Sequence, residues 1–136
     1  MIDQITVFLE NSEGRLAALT RCLGDAGVNM SALTIAETSE YGLARLIVDD
    51  PEAGMKALSD GGFRATLTKV SAIEVPNEPG SLAKLLDVLD ELNLNIEYGY
   101  CFSAGEDKAI DVFKINGDAK AAEAQFALEA AGFKLL

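Results

Sequence analysis

One pattern is written twice in this chain, 66 positions apart, and that repeat constrains the fold more than any other feature. Asn11-Ser12-Glu13-Gly14-Arg15-Leu16 follows an apolar run and opens a helical pattern, and Asn77-Glu78-Pro79-Gly80-Ser81-Leu82 does the same. The same offset aligns Val7 with Ile73, Leu9 with Val75, Leu19 with Leu85, Leu23 with Leu89, Asn29 with Asn95 and Met30 with Ile96. A turn and a helix framed twice by the same Asn, Gly and Leu positions identify a tandem repeat of one module. The 136 residues divide into residues 1–70 and 71–136. At that size a lone core is marginal, so each module is expected to lean on a neighbour and on a second chain.

Each copy reads βαββαβ. Residues 2–9 alternate around Ile5, Val7 and Leu9 as a half-buried strand. Residues 11–14 are turn chemistry, with Ser12 or Glu13 near a helix start and Gly14 free to take unusual backbone angles. Leu16, Leu19 and Leu23 give residues 15–26 a helical stripe that Gly27 ends. Residues 30–38 and 43–48 read as strands around a hairpin turn at Ser39-Glu40-Tyr41-Gly42. Asp50 and Pro51 supply an N-cap and a first helical position, Gly61 and Gly62 stop that helix, and an extended pattern resumes at Phe63.

The second copy follows the same order. Residues 72–75 form a strand, and Leu82, Leu85, Leu86, Leu89 and Leu92 line a helix from Ser81. Strands at 96–104 and 109–115 flank a turn at Gly105-Glu106-Asp107. Asp118 is expected to cap a helix with Ala121, Ala124, Leu128 and Ala131 facing inward, and residues 133–136 to form a last short strand. The expected class is α+β: two ferredoxin-like modules, each an antiparallel sheet with its helices on one face. No strand breaker lies in residues 64–75, so the last strand of the first module is expected to run into the first strand of the second.

Composition removes several function classes. A net charge of −11 repels phosphate backbones, which argues against nucleic acid as a partner. With no His, the commonest general base and metal ligand are missing, and Cys22 and Cys101 show no metal or disulfide spacing. Both cysteines read as small buried residues, and Phe126 as core or interface. No apolar run approaches the ~20 residues of a membrane span, and Asp3 stands where a signal peptide is basic. A cytoplasmic protein without cofactor, metal or catalytic residues is expected.

These residues resemble the ACT domain, a regulatory module that binds amino acids and other small metabolites and controls enzymes of amino-acid metabolism. The loop is most similar to the Asn-x-Pro-Gly loop of the serine-binding regulatory domain of phosphoglycerate dehydrogenase. Asn77, Pro79 and Gly80 match it fully, while Asn11 and Gly14 match with Glu13 in place of Pro. The resemblance implies that a loop Asn and a second Asn 18 residues later contact ligand; Asn29 follows Asn11, and Asn95 follows Asn77, by that interval. Leu9 and Val75 replace a ligand-contacting His of that domain. The resemblance covers both halves and leaves no catalytic domain.

Geometry adds that Asn11 and Asn29 lie at opposite ends of a helix roughly 18 Å long, as do Asn77 and Asn95. A composite site therefore pairs Asn11 with Asn95 and Asn77 with Asn29, within a chain or across a homodimer. Helix-start N–H groups beside Gly14 and Gly80 suit a carboxylate, and Asn carboxamides serve both ends of a zwitterion. Arg15 assists in the first copy, Ser81 replaces it in the second, and Glu13 and Glu78 oppose an anion. Leu16, Met30, Leu82 and Ile96 complete the candidate ligand-binding set. The expected function is amino-acid sensing at an interface between ACT modules. The alternative is a regulatory subunit that docks on a metabolic enzyme without a ligand of its own. A small enzyme of acylphosphatase topology is disfavoured, because no phosphate-binding Arg loop and no nucleophile–base pair is present.

Overall fold

The computed structural model describes residues 1–37 and 40–136, and the chain divides into two compact units. One comprises Asp3–Thr68, and the other Lys69–Leu136 together with Met1–Ile2. In chain order the elements are β1 (Ile2–Glu10), α1 (Arg15–Asp25), β2 (Met30–Glu37), β3 (Tyr41–Val48), α2 (Pro51–Asp60) and β4 (Arg64–Pro76). They continue as α3 (Ser81–Asp90), β5 (Ile96–Ser103), β6 (Lys108–Ile115), α4 (Asp118–Ala130) and β7 (Lys134–Leu135). Both copies are βαββαβ. β4 is one strand of 13 residues, as the lack of a breaker in that stretch implies.

In the first unit β1 pairs antiparallel with β3, and β3 with β2. Alternation along β1 buries Ile5, Val7 and Leu9, and the four-residue spacing in α1 places Leu19 and Leu23 against them. Leu46, Leu58 and Phe63 close that core. In the second unit the order is β7-β4-β6-β5, every pair antiparallel. Ile73 and Val75 meet Leu85 and Leu89 from α3 and Ala121, Ala124 and Leu128 from α4. The Asp50 carboxylate accepts the Ala53 N–H at 3.1 Å with Pro51 in the first helical position, so the expected cap of α2 is present.

The constant offset of 66 holds only as far as β5. Leu33 pairs with Leu46 in the first hairpin and Gly99 with Phe113 in the second, so β2 maps to β5 at 66 but β3 maps to β6 at 67. The second hairpin carries one extra residue. Ala44, not Arg45, is therefore the counterpart of Asp111: Val7 faces Ala44 and Ile73 faces Asp111.

Several local expectations change. Tyr41 and Gly42 belong to β3 rather than to a turn, paired with Glu10 and Leu9, while Thr38 and Ser39 lie outside the described residues. Asp118 is the first residue of α4 and does not cap it; Gly117 occupies that position without a side-chain cap. Ala131 follows the last turn of α4 and is exposed. Leu82 is exposed because the first turn of α3 sits beside the loop, while the buried stripe begins at Leu85. Phe126 is 76% exposed and no part of the core. Cys101 is also exposed, on the terminal strand β5, whereas Cys22 is half-buried and donates to the Ala57 carbonyl at 3.2 Å.

Candidate functional site

The two β–α loops repeat each other bond for bond. The Asn11 N–H donates to the Glu40 carbonyl at 3.3 Å, and the Asn77 N–H to the Asp107 carbonyl at 2.9 Å. The Ser12 and Glu78 N–H groups turn back on Glu10 and Pro76, both at 2.9 Å. The Arg15 N–H reaches the Ser12 carbonyl at 3.5 Å, and the Ser81 N–H the Glu78 carbonyl at 3.3 Å. Gly14 and Gly80 then begin the helices at φ 81° and 90°, accepting from Ala18 and Lys84. A left-handed backbone is what demands glycine here, since a Cβ at either position would meet nothing within 4 Å.

Neither helix start has a side-chain cap. Ser12 and Glu13 are near the start of α1 but do not satisfy it. The first-turn N–H groups of Leu16 and Ala17, and of Leu82 and Ala83, have no acceptor within their helices, which is the arrangement that receives anions.

Above the first loop is a cavity of about 160 Å³ that brings together Asn11, Arg15 and Leu16, with Ser12, Ile35 and Gly42 among its walls. By liquid volume this is the share of about five waters. The Arg15 guanidinium carbon lies 4.7 Å from the Phe63 ring centroid, and its Nε is buried without a hydrogen-bond partner among the described residues. The ring holds this cation in place, and its buried Nε is an unsatisfied donor. A second hollow of about 190 Å³ adjoins Arg15 on the side of Phe8, Tyr41 and Phe63.

Other candidate residues are placed elsewhere. The Asn29 N–H donates to the Asp49 carboxylate at 3.0 Å, and its carbonyl accepts the Asp49 N–H at 3.0 Å. Asn11 is thus tied to the residue before β3 and Asn29 to the residue after it, with eight strand residues or roughly 27 Å between. In the second copy Asn77 is tied to Asp107 and the Asn95 carbonyl to the Asn116 N–H at 2.9 Å, at the two ends of β6. The two Asn residues of one module do not meet. Met30 and Ile96 pack against the cores, and Ile96 also borders a separate hollow with Leu86 and Leu94. Glu13 and Glu78 are exposed, Gly14 does not border the cavity, and Ser81 is 8% exposed.

Sequence reasoning missed Ile35 and Gly42, which reach the loop only through strand pairing. It also missed Asp111, 4% exposed on β6, whose Oδ2 has no partner among the described residues. Burial holds its carboxyl above the usual carboxylate range. The signal was a single acid inside the apolar run Ala109-Ile110-Asp111-Val112-Phe113. No group of three or more His, Cys, Asp or Glu among the described residues is arranged to hold a metal. None of their helices is long and apolar enough to cross a membrane.

Residues 1–130 match the family model described as an ACT domain pair. Protein BT0572 from Bacteroides thetaiotaomicron is 40% identical, with a TM-score of 0.88 over 98% of this chain and 90% of that one. The regulatory subunit of aspartate kinase from Thermus thermophilus is 17% identical, with a TM-score of 0.68 over 96% and 92% of the two chains. A structure of aspartokinase alpha and beta subunits gives 17% identity and a TM-score of 0.62 over 95% and 90%. At those identities the two kinase structures share the fold. No curated protein matches the chain.

Proposed function

This chain belongs to the ACT domain pair family, and on that footing we propose that it is a non-catalytic regulatory protein that binds a free amino acid at its β–α loops. The observation that carries this reading is the cavity over the first loop. There Asn11, Leu16 of the open first turn of α1 and Arg15, whose Nε has no hydrogen-bond partner among the described residues, border one space of about 160 Å³. Backbone N–H groups and Arg15 receive the carboxylate, and the Asn11 carboxamide, both donor and acceptor, reads the rest of the zwitterion. Because Asn11 and Asn29 sit at opposite ends of their module, a site that uses both kinds of Asn takes them from two modules, as Asn11 with Asn95 and Asn77 with Asn29. A homodimer is one way to supply the second module.

Thermal unfolding against each of the twenty amino acids at millimolar concentration tests the proposal. Ligand at 100 times its dissociation constant adds about 2.7 kcal/mol, a rise of several degrees in midpoint for a domain of this size. A shift confined to one amino acid or a chemically related few, lost in Asn11→Ala, supports sensing. The absence of any shift in a folded sample contradicts it. The competing reading, a regulatory subunit docked on a metabolic enzyme, is favoured by the likeness to the aspartate kinase regulatory subunit of Thermus thermophilus and by exposed Leu33 and Ile35 on β2. It predicts stable co-purification with that enzyme and no response to amino acids.

A further inference from the structure

The two loops share a backbone and differ in charge. Arg15 at the first helical position of α1 becomes Ser81 in α3, removing the cation. Under the shifted register Ala44, fully buried on β3, becomes Asp111 on β6. Ile35, which walls the first cavity, becomes Cys101, and Cys101 is the β5 partner of Asp111. Gly42, another wall, becomes Ala109, two residues from Asp111 on the same strand face. The first module therefore has a long cation at its helix start and a buried alanine on the strand beside the wall positions Ile35 and Gly42, and the second has a short hydroxyl and a buried carboxylate at the corresponding places.

Asp111 also lies on the helix-facing side of its sheet. Its partner Ile73 and its alternate neighbour Phe113 both belong to the core beneath α3 and α4. A carboxylate there pays for its desolvation and recovers nothing from Oδ2, which has no partner among the described residues. Structural acids at such depth are normally paired, and the residues directly across from this one, Ile73 and Cys101, carry no cation. Ser81 contributes no charge to satisfy it either. What would satisfy it is a positively charged group entering from the loop side.

We infer that the two loop sites are charge-inverted: the first receives the carboxylate end of its ligand against Arg15, and the second receives an ammonium-bearing end against Asp111. The inference rests on the reading that the β–α loops are ligand sites. A protein built this way holds two ligands in opposite orientations, or two different ligands, despite its near-identical loops.

The test uses two fragments of the amino-acid backbone on the full chain, followed by amide and carboxyl NMR. Glycinamide carries an ammonium and no carboxylate; N-acetylglycine carries a carboxylate and no ammonium. The expected result is that glycinamide perturbs Asn77, Ser81, Leu82 and the Asp111 carboxyl, whereas N-acetylglycine perturbs Asn11, Arg15 and Leu16. Asp111→Asn, with folding checked by its amide spectrum, should weaken glycinamide at the second loop at least tenfold. Ser81→Arg, which supplies an internal cation at the position Arg15 holds in the first copy, should do the same, with folding checked in the same way. Glycinamide acting alike on both loops, or binding the second loop equally well in Asp111→Asn and Ser81→Arg, overturns charge inversion and leaves the loop sites standing. No response of either loop to either fragment overturns the loop-site reading and this inference together.

Discussion

The guanidinium of Arg15 lies 4.7 Å from the centroid of the Phe63 ring, which joins the first residue of α1 to the residue just before β4. This contact holds the cation against the ring, and Arg15 borders both the cavity of Asn11 and the hollow of Phe8, Tyr41 and Phe63. A charge-assisted hydrogen bond to a ligand carboxylate contributes about 1.5–3 kcal/mol. Arg15→Gln should therefore weaken the responding amino acid by roughly tenfold to a hundredfold, read by isothermal titration. Arg15→Lys should recover only part of that loss, because an ammonium lacks the planar fork that stacks and donates.

Gly14 and Gly99 should respond to alanine for opposite reasons. At Gly14, φ is 81° and the space is open, so Gly14→Ala is expected to cost about 1–2 kcal/mol of backbone strain in chemical denaturation. At Gly99 a Cβ would stand 2.6 Å from Cδ1 of Phe113, and Gly99→Ala should cost about 1–3 kcal/mol by overpacking. Gly99→Ala in a Phe113→Leu background should recover much of its loss, and Gly14→Ala should not.

The caps of α2 and α4 make a second contrast. Asp50→Ala removes a 3.1 Å bond to the Ala53 N–H and should cost about 1 kcal/mol. Asp118→Ala removes only a favourable charge in the first turn of α4, a loss of about 0.3–1 kcal/mol. A larger loss for Asp118→Ala than for Asp50→Ala in urea unfolding would contradict the assignment of Gly117 as the cap.

Asp111 predicts a pH dependence of the free protein. Burial raises its folded carboxyl above the ordinary value of 3.8, so the folded state holds this proton more tightly than the unfolded chain. Between 3.8 and the raised folded value the unfolded state binds fewer protons, and stability falls as pH rises. The contribution is fully present below that window and gone above it. Denaturation midpoints of Asp111→Asn should decline less than those of the parent chain across the window. Parallel profiles would place Asp111 in a hydrated setting.

How much of this was legible in the sequence depended on whether the information was local. The repeat, the helix stripe of Leu19 and Leu23, the Asp50-Pro51 start of α2 and the continuity of β4 are written in neighbouring residues, and the structure has each of them. The extra residue in the second hairpin is not, because a one-residue insertion in a polar turn leaves no periodic trace. It shows only in the pairing of Gly99 with Phe113. Without it Asp111 aligns with Arg45, and the exchange of Ala44 for an acid is invisible. The same non-local pairing brings Ile35 and Gly42 to Asn11. Leu16 and Leu82 looked like core by spacing, yet both are more than a third exposed where the first helical turns border the loops.

The most direct test of the central claim is an amide NMR titration of the full chain with whichever amino acid raises its unfolding midpoint. A ligand held at the β–α loops should move the Asn11, Leu16 and Ala17 amides in saturable fashion, with the same dissociation constant as the thermal response. The N–H groups of the first turn of α1 should shift in the direction of stronger hydrogen bonding. Saturable shifts confined to other surfaces, with the Leu16 and Ala17 amides unmoved, would contradict a loop-borne amino-acid site.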